Sequence, residues 1–199
     1  MTIQYAALRA DDYQRMPWKN SLGSTCEVYR EPSLVGDFLW RVSLADVRVN
    51  SAFSPFPGLR RVIGTLEGAG MRLNVDGAWT GPLVQYDPFI FSGDSAVESE
   101  LLDGPIRDFN LIYSPRLCAA RLQWLDVARP QTFCTQAETL LVLAVGRAEV
   151  AGGEFTLSLN HLDSALLRNE GAELARIQLK PGSSEESRCC VIEINPCSH

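Results

Sequence analysis

Histidine is scarce in this chain: His161 and His199 are the only two among 199 residues. Ser-His-Asp and Cys-His nucleophilic catalysis both need an imidazole beside the nucleophile, so the N-terminal half is closed to them. The six cysteines, at 26, 118, 134, 189, 190 and 197, contain no C-x-x-C pair, which removes the usual zinc spacing. No run of about 20 apolar residues occurs, so no membrane span is expected. Met1-Thr2-Ile3-Gln4-Tyr5 lacks the basic and apolar regions of a secretion signal. A basic surplus is missing too: 18 Lys and Arg stand against 24 Asp and Glu, for a net charge of -6. That argues against a nucleic-acid partner held by a broad basic face. With 46% apolar and 21% charged residues, the composition is that of a folded globular protein, and a cytoplasmic one is expected.

Long amphipathic helical patterns are also lacking; short turns near Ala10–Gln14 and Ser33–Gly36 are the best helix candidates. What is present is short alternation. Trp40, Val42 and Leu44 share one face of a strand and Arg41 and Ser43 the other. Met71-Arg72-Leu73-Asn74-Val75 alternates and ends in Asp76-Gly77, a hairpin signal. Proline and glycine recur every ten residues or so from Pro55 to Pro105, the punctuation of a sandwich or barrel. The chain also echoes itself. Residues 65–94 and 143–171 both run strand, turn, strand, turn, strand and apolar triplet, Phe89-Ile90-Phe91 in one and Ala165-Leu166-Leu167 in the other. Each leads to a late strand, Phe109–Tyr113 or Cys190–Ile194. Two related β-barrels in tandem are expected, over 1–116 and 117–199 and packed as one unit. Cys189-Cys190, inside an apolar run, reads as a pair of small buried hydrophobes, with a redox role as the alternative.

The N-terminal half carries a distinctive set of blocks. They are Met16-Pro17-Trp18-Lys19-Asn20, Gly23-Ser24-Thr25-Cys26-Glu27, Trp40-Arg41-Val42-Ser43-Leu44-Ala45, Phe53-Ser54, Phe56-Pro57-Gly58 and Arg61. Leu66-Glu67-Gly68-Ala69-Gly70, Gly93-Asp94 and Leu102-Asp103-Gly104-Pro105 come next, and Arg107-Asp108-Phe109-Asn110 closes the series. In this order, over roughly residues 8–116, the blocks resemble the HutD/Ves family; Ser21-Leu22-Gly23 departs from that family's glycine run. The resemblance implies an all-β, cupin-like (RmlC-like) fold of two tandem barrels, a bicupin with few short helices. It also implies a cytoplasmic protein tied to histidine utilisation or stress response, with a regulatory role more than an established reaction. A mononuclear cupin metal site needs about three histidines and a carboxylate, so a metal-free protein without cofactor is expected. His161, on a turn after a strand, reads as a surface or hydrogen-bonded side chain.

The same half does hold cations, Lys19, Arg41, Arg61 and Arg107, with Asn20, Thr25, Ser43, Asp108 and Asn110 as polar partners. Asp108 and Asn110 lie two apart on a strand and share a face, as do Arg41 and Ser43. Guanidinium grips a carboxylate through two parallel bonds and lysine adds a point charge, so these residues, with Trp18 at the mouth, suit a small carboxylate. Two plainer readings stay open. The arginines could pair with Asp94, Asp103 and Asp108 to hold loops, and Trp18 could wedge the N-terminal segment against the barrel. Phe53, Phe56 and Phe91 read as core or loop anchors, and Glu67 has a weak claim as a general base. Three functions remain in play. One is a protein sensing a small carboxylate such as N-formylglutamate or another product of histidine breakdown. The second is a metal-independent isomerase or hydrolase on such a metabolite, and the third a structural protein with a vestigial cavity; a homo-oligomer is compatible with each.

Overall fold

A computed structural model describes residues 3–18, 23–182 and 187–197. The described residues are almost entirely strand. In chain order they are β1 (Ile3–Leu8), β2 (Gln14–Pro17), β3 (Gly23–Glu31), β4 (Trp40–Val47), β5 (Ser51–Ala52), β6 (Arg60–Glu67), β7 (Met71–Val75), β8 (Ala78–Trp79) and β9 (Phe89–Ser92). The later strands are β10 (Val97–Leu101), β11 (Ile106–Tyr113), β12 (Cys118–Asp126), β13 (Gln131–Thr135), β14 (Thr139–Val145), β15 (Ala148–Gly152), β16 (Phe155–Leu159), β17 (Ser164–Asn169), β18 (Ala175–Pro181) and β19 (Arg188–Pro196). One 3-10 turn, Ala10–Asp12, is the helical content among these residues. The helix expected over Ser33–Gly36 does not form. Gly36 sits at φ +104°, and Leu34 and Val35 are solvent-exposed, so no core rewards a helical face there.

The chain divides into two compact units, Gln14–Leu117 and a second made of Met1–Tyr13 with Cys118–His199. Each is a pair of antiparallel sheets. In the first unit the large sheet runs β2-β3-β4-β11-β6-β9 and the small one β5-β10-β7-β8. In the second the orders are β1-β17-β14-β19-β12 and β13-β18-β15-β16. Advancing each of β4 to β11 by eight strands reproduces the second unit's order, and the segments that echo each other in the sequence fall on these corresponding strands.

Two features depart from the sequence expectation. Residues 3–8 do not belong with the first half: β1 pairs along β17, from Ile3 opposite Asn169 to Leu8 opposite Ser164. The buried Asp163 carboxylate fastens the next residues, accepting from the Ala10 amide (2.9 Å) and from Arg9 (2.8 Å). Tyr13 then donates to the Leu162 carbonyl at 2.7 Å. Nor are the sheets closed barrels. Between β8 and β9 the chain carries Pro82 and Pro88, which have no N–H to give, and among the described residues the isolated bridges Thr65–Gln85 and Met71–Leu83 span that side in place of a continuous ladder. The Asp76-Gly77 hairpin forms as expected, with φ of +52° and +88° at its two central residues.

The two interiors differ in chemistry. The second unit encloses an apolar core including Val142, Val150, Phe155, Leu179, Cys189 and Val191. Burial pushes the Cys189 thiol up to about 12 and Cys190 well above its usual range, so both behave as inert hydrophobes at neutral pH. The first unit packs Ala45, Ile63, Met71, Leu73, Phe91 and Val97 at its centre. One tight backbone contact sits at its edge: a Cβ on Gly93 would stand 2.2 Å from the Phe56 carbonyl oxygen and 2.9 Å from that of Leu59. Gly93→Ala is therefore expected to destabilise the protein by about 1–3 kcal/mol through backbone displacement. A chemical-denaturation midpoint equal to that of the parent protein would refute this.

Candidate functional site

Three neighbouring strands of the large sheet in Gln14–Leu117 build the site. Antiparallel register sets Arg41, Ile112 and Arg61 in one row, Ser43, Asn110 and Ile63 in the next, and Ala45, Asp108 and Thr65 in the third. Residues directly opposite one another share a face, and so do residues two apart along a strand. All nine side chains therefore point the same way, toward the core that holds Ala45 and Ile63. Phe91 of β9 extends the first row beside Arg61. The polar stripes of β4 and β11 thus face the interior.

Arg61 is the centre of this face, with only 6% of its surface exposed. Its guanidinium lies 4.9, 5.4 and 5.1 Å from the ring centroids of Phe53, Phe56 and Phe91. The rings' negative faces stabilise the cation where water does not reach. One NH2 group donates to Asn110 Oδ1 at 2.7 Å and the other to the Ser54 carbonyl at 3.3 Å. Asn110 passes the interaction on, its Nδ2 donating to Asp108 Oδ1 at 2.7 Å. This fixes the amide orientation, since guanidinium can only donate and the carboxylate oxygen accepts. Arg41 also lies near Phe56, 5.3 Å from its centroid, and 5.2 Å from that of Phe38. The Nε of Arg41 and the Nε of Arg61 are both buried without a hydrogen-bond partner.

Burial dominates the electrostatics. It pushes the Asp108 carboxyl up to about 7, against the pull of Arg61 and of the Ala45 amide. It lowers Arg61 to about 10, opposed by Asp108 and reinforced by the like charge of Arg41. Arg41 is likewise lowered by burial, with Glu27 holding it up. The inward face thus gathers two guanidinium groups, one supported by Glu27 and the other by a carboxyl whose ionised form burial disfavours.

The other sequence candidates separate. Ser43 is buried in the middle row. Trp18 packs against the core and donates from Nε1 to Thr25 Oγ1 at 2.9 Å, which ties the ring to β3 as a wedge. Lys19 and Asn20 lie outside the described residues; the backbone bond from Trp18 N–H to the Gly23 carbonyl, 3.0 Å, spans that stretch. Arg107 does not join the constellation. Odd-numbered on β11, it points away from Asp108 and binds Asp46 at 2.8 Å and Glu67 at 3.2 Å, with Arg15 on the far oxygen of Asp46. Glu67 is thereby engaged in an ion pair. The three phenylalanines read as anchors prove to be the walls around Arg61; the available signal was the spacing of two of them beside Pro and Gly in Phe53-Ser54-Pro55-Phe56-Pro57-Gly58.

Two surface clefts lie elsewhere. One of about 500 Å³ runs between the Ala10–Asp11 turn and Arg147, Asn160 and His161; the other, of about 250 Å³, is lined by Asp46, Glu67 and Arg107 among others. The Gly146 amide donates to His161 Nδ1 at 3.1 Å. Among the described residues, no group of three or more His, Cys, Asp or Glu is placed to hold a metal, and no helix is long and apolar enough to cross a membrane.

Asp108 also sets a pH dependence. Its ordinary value is 3.8 and its folded value about 7, so between these the folded chain holds a proton that the unfolded chain has lost. This contribution is full below pH 4, falls as pH rises to 7, and is flat above, with a slope of up to about 1.4 kcal/mol per pH unit. Thermal melts of the parent protein are expected to drop from pH 5 to pH 8, and Asp108→Asn to flatten that drop. Parallel curves would show that Asp108 is not the group responsible.

Similarity to known proteins extends over the whole of this architecture. The family model described as HutD matches residues 10–185. A Pseudomonas putida protein described as an uncharacterized 21.2 kDa protein in the hutC 3' region is 43% identical, over 96% of this chain and 97% of its own length. The Ves protein of Escherichia fergusonii is 35% identical over 62% of this chain and 65% of its own. Among solved structures, a conserved protein of unknown function from Pseudomonas aeruginosa superposes with TM-score 0.90 at 42% identity, covering 98% of this chain and 100% of that one. HutD from Pseudomonas fluorescens, in a formate condition, gives 0.84 at 43%, with the same coverage. A cupin 2 conserved barrel domain protein from Leptotrichia buccalis, 8% identical over 94% of this chain and 100% of its own, gives 0.58 and shares the fold alone. With a family match across most of its length and a near full-length relative at 43% identity, the chain belongs to the HutD family.

Proposed function

We propose that this chain binds a small carboxylate metabolite inside the Gln14–Leu117 unit, without a metal, and acts in the cytoplasm as a regulator of histidine utilisation. The observation that carries this reading is the pair of buried guanidinium donors, Arg41 Nε and Arg61 Nε, that lack partners beside a shared phenylalanine ring. A buried donor left unsatisfied costs about 1–3 kcal/mol, and an anion accepting from it recovers that cost. Excess positive charge in the same place favours an anion over a neutral ligand. Arg41 and Arg61 hold the carboxylate, and Ser43 and Asn110 orient it. Asp108 sits behind Asn110 as counter-charge, and Trp18 and Thr25 brace the edge; Lys19 and Asn20, put forward with them from the sequence, lie outside the described residues. The name of one relative, in a hutC 3' region, fits an intermediate of histidine breakdown, N-formylglutamate among them.

A second reading, a metal-independent isomerase or hydrolase acting on such a metabolite, draws on one observation. A carboxyl raised to about 7 by burial is poised for proton transfer near neutral pH. The matching strand orders of the two units support, in turn, a tandem bicupin in which one half has kept an occupied interior and the other has filled its own with aliphatic side chains.

Thermal-shift and calorimetric titration with formate, formylglutamate, glutamate and urocanate tests the binding reading. At least one is expected to stabilise the protein at millimolar concentration. Each charge-assisted hydrogen bond is worth about 1.5–3 kcal/mol, so Arg61→Ala is expected to weaken that ligand roughly ten- to a hundredfold. Arg61→Lys, which keeps the charge and loses the fork, is expected to fall between. No stabilisation by any of the four, or an undiminished response in both variants, overturns the reading. Turnover of any of the four by the protein alone, abolished by Asp108→Asn, would instead favour the enzyme.

A further inference from the structure

Arg61, the buried cation of the first unit, reaches the buried Asp108 carboxyl through a single amide. Arg61 donates to Asn110, and Asn110 donates to Asp108, at 2.7 Å each. Resting on the carboxylate-pocket reading above, we propose that the site takes up its anion together with a proton, and that Asp108 is the group that receives it.

The argument is one of charge balance in a dry place. Before an anion arrives, Arg61 is the charge that makes an ionised Asp108 tolerable, since the carboxylate is 2% exposed and water contributes little. An anion seated on the guanidinium satisfies that positive charge in the carboxylate's place, so Asp108 loses its support. The anion also places a second negative charge within reach of Asp108 in the same low-dielectric interior, where repulsion is weakly screened. Both changes favour the neutral carboxyl. Asn110 can accommodate this without moving, because a protonated carboxyl still offers its Oδ1 to the Asn110 amide while the other oxygen carries the proton.

The surroundings leave little else to absorb the charge. From β4, Asp108 receives the Ala45 amide and feels the negative Asp46; from β6 it feels Arg61; its own strand gives Asn110. Thr65 of β6 and Ala45 of β4 are its uncharged register partners, and Thr25 of β3 lies opposite Ala45. Glu27 of β3 is held by Arg30 at 2.7 Å, Asp46 of β4 by Arg15 and Arg107, and Glu67 of β6 by Arg107. The core residues of β7 and β10, Met71, Leu73, Val75 and Val97, carry no charge. Arg41 and Arg61 stay cationic through neutral pH, and a simple carboxylate ligand is ionised there, so neither takes the proton. Asp108, already pushed up to about 7 before any ligand, is the group with a proton to gain.

Affinity then depends on pH in one direction. Below pH 7 Asp108 is protonated with or without ligand, and affinity is level. Above pH 7 each binding event must draw a proton from solvent, and affinity falls by up to tenfold per pH unit. At pH 7 roughly half a proton is taken up per anion bound.

Calorimetry measures this directly. Each of the four carboxylates is titrated into wild type at pH 7 in phosphate and in Tris, whose ionisation heats differ widely. A difference in apparent enthalpy equivalent to roughly half a proton taken up, vanishing in Asp108→Asn, is the expected result. Where Asp108→Asn does not fold, carbon-detected NMR of aspartate-labelled wild type follows the same carboxyl with and without ligand, and its titration midpoint is expected to move upward on binding. Binding with no buffer dependence, or an Asp108 midpoint that stays in place, overturns the coupling and leaves the anion pocket standing. Failure of all four carboxylates to bind removes the pocket and the coupling with it.

Discussion

A guanidinium withdrawn from water is the constraint around which the first unit is arranged. Arg61 loses most of its hydration, and the protein replaces it with three ring faces, one amide oxygen, one backbone carbonyl and a carboxylate one residue further along the chain of bonds. Each replacement imposes its own requirement. Two of the rings must be brought in by the Phe53–Gly58 loop, whose close approach to the residue after β9 favours glycine at position 93. The amide must sit opposite Ser43 and Ile63, which fixes the register of β11 between β4 and β6. Substitutions that look remote from the site therefore act on it through the position of Phe56, which touches both interior arginines.

Alternation made the strands legible, since period two is a property of the backbone that survives any partner. Facing was harder. In Trp40-Arg41-Val42-Ser43-Leu44 and in Asp108-Phe109-Asn110-Leu111, the apolar set looks like the core and the polar set like the surface. Both sets are largely buried, and the polar one is turned toward the neighbouring sheet. That also explains why Arg61 and Arg107 could not be told apart as letters. One residue of offset along β11 separates Asp108 and Asn110, which serve Arg61, from Arg107, which is spent on Asp46 and Glu67. Barrel closure and the destination of β1 were not legible at all. Six residues of alternation do not name the strand they pair with, and closure depends on backbone hydrogen bonds that Pro82 and Pro88 interrupt.

The two units share a strand order but not a chemistry. Where β11 presents Asp108 and Asn110 to the interior, the corresponding β19 presents Cys189 and Val191. A thiol and an isopropyl group fill similar space without needing a charge partner, so that interior is stable with no ligand. The architecture thus tolerates either filling. Which one a unit has is set by a few alternate positions on three strands, and those are where a change of function by substitution would begin.

The pairing of β1 with β17 reaches across most of the sequence, and synthesis gives it a history. Ile3–Leu8 leaves the ribosome well ahead of the partner that closes its hydrogen bonds, which begins at Ser164. At about 5–20 residues per second, the strand waits roughly 10–30 s for that partner. In the same interval Gln14–Leu117, one uninterrupted stretch, is already complete. The nascent chain therefore carries an unsatisfied strand while Gln14–Leu117 is free to fold, and the large sheet of the other unit is completed only once β17 has been made.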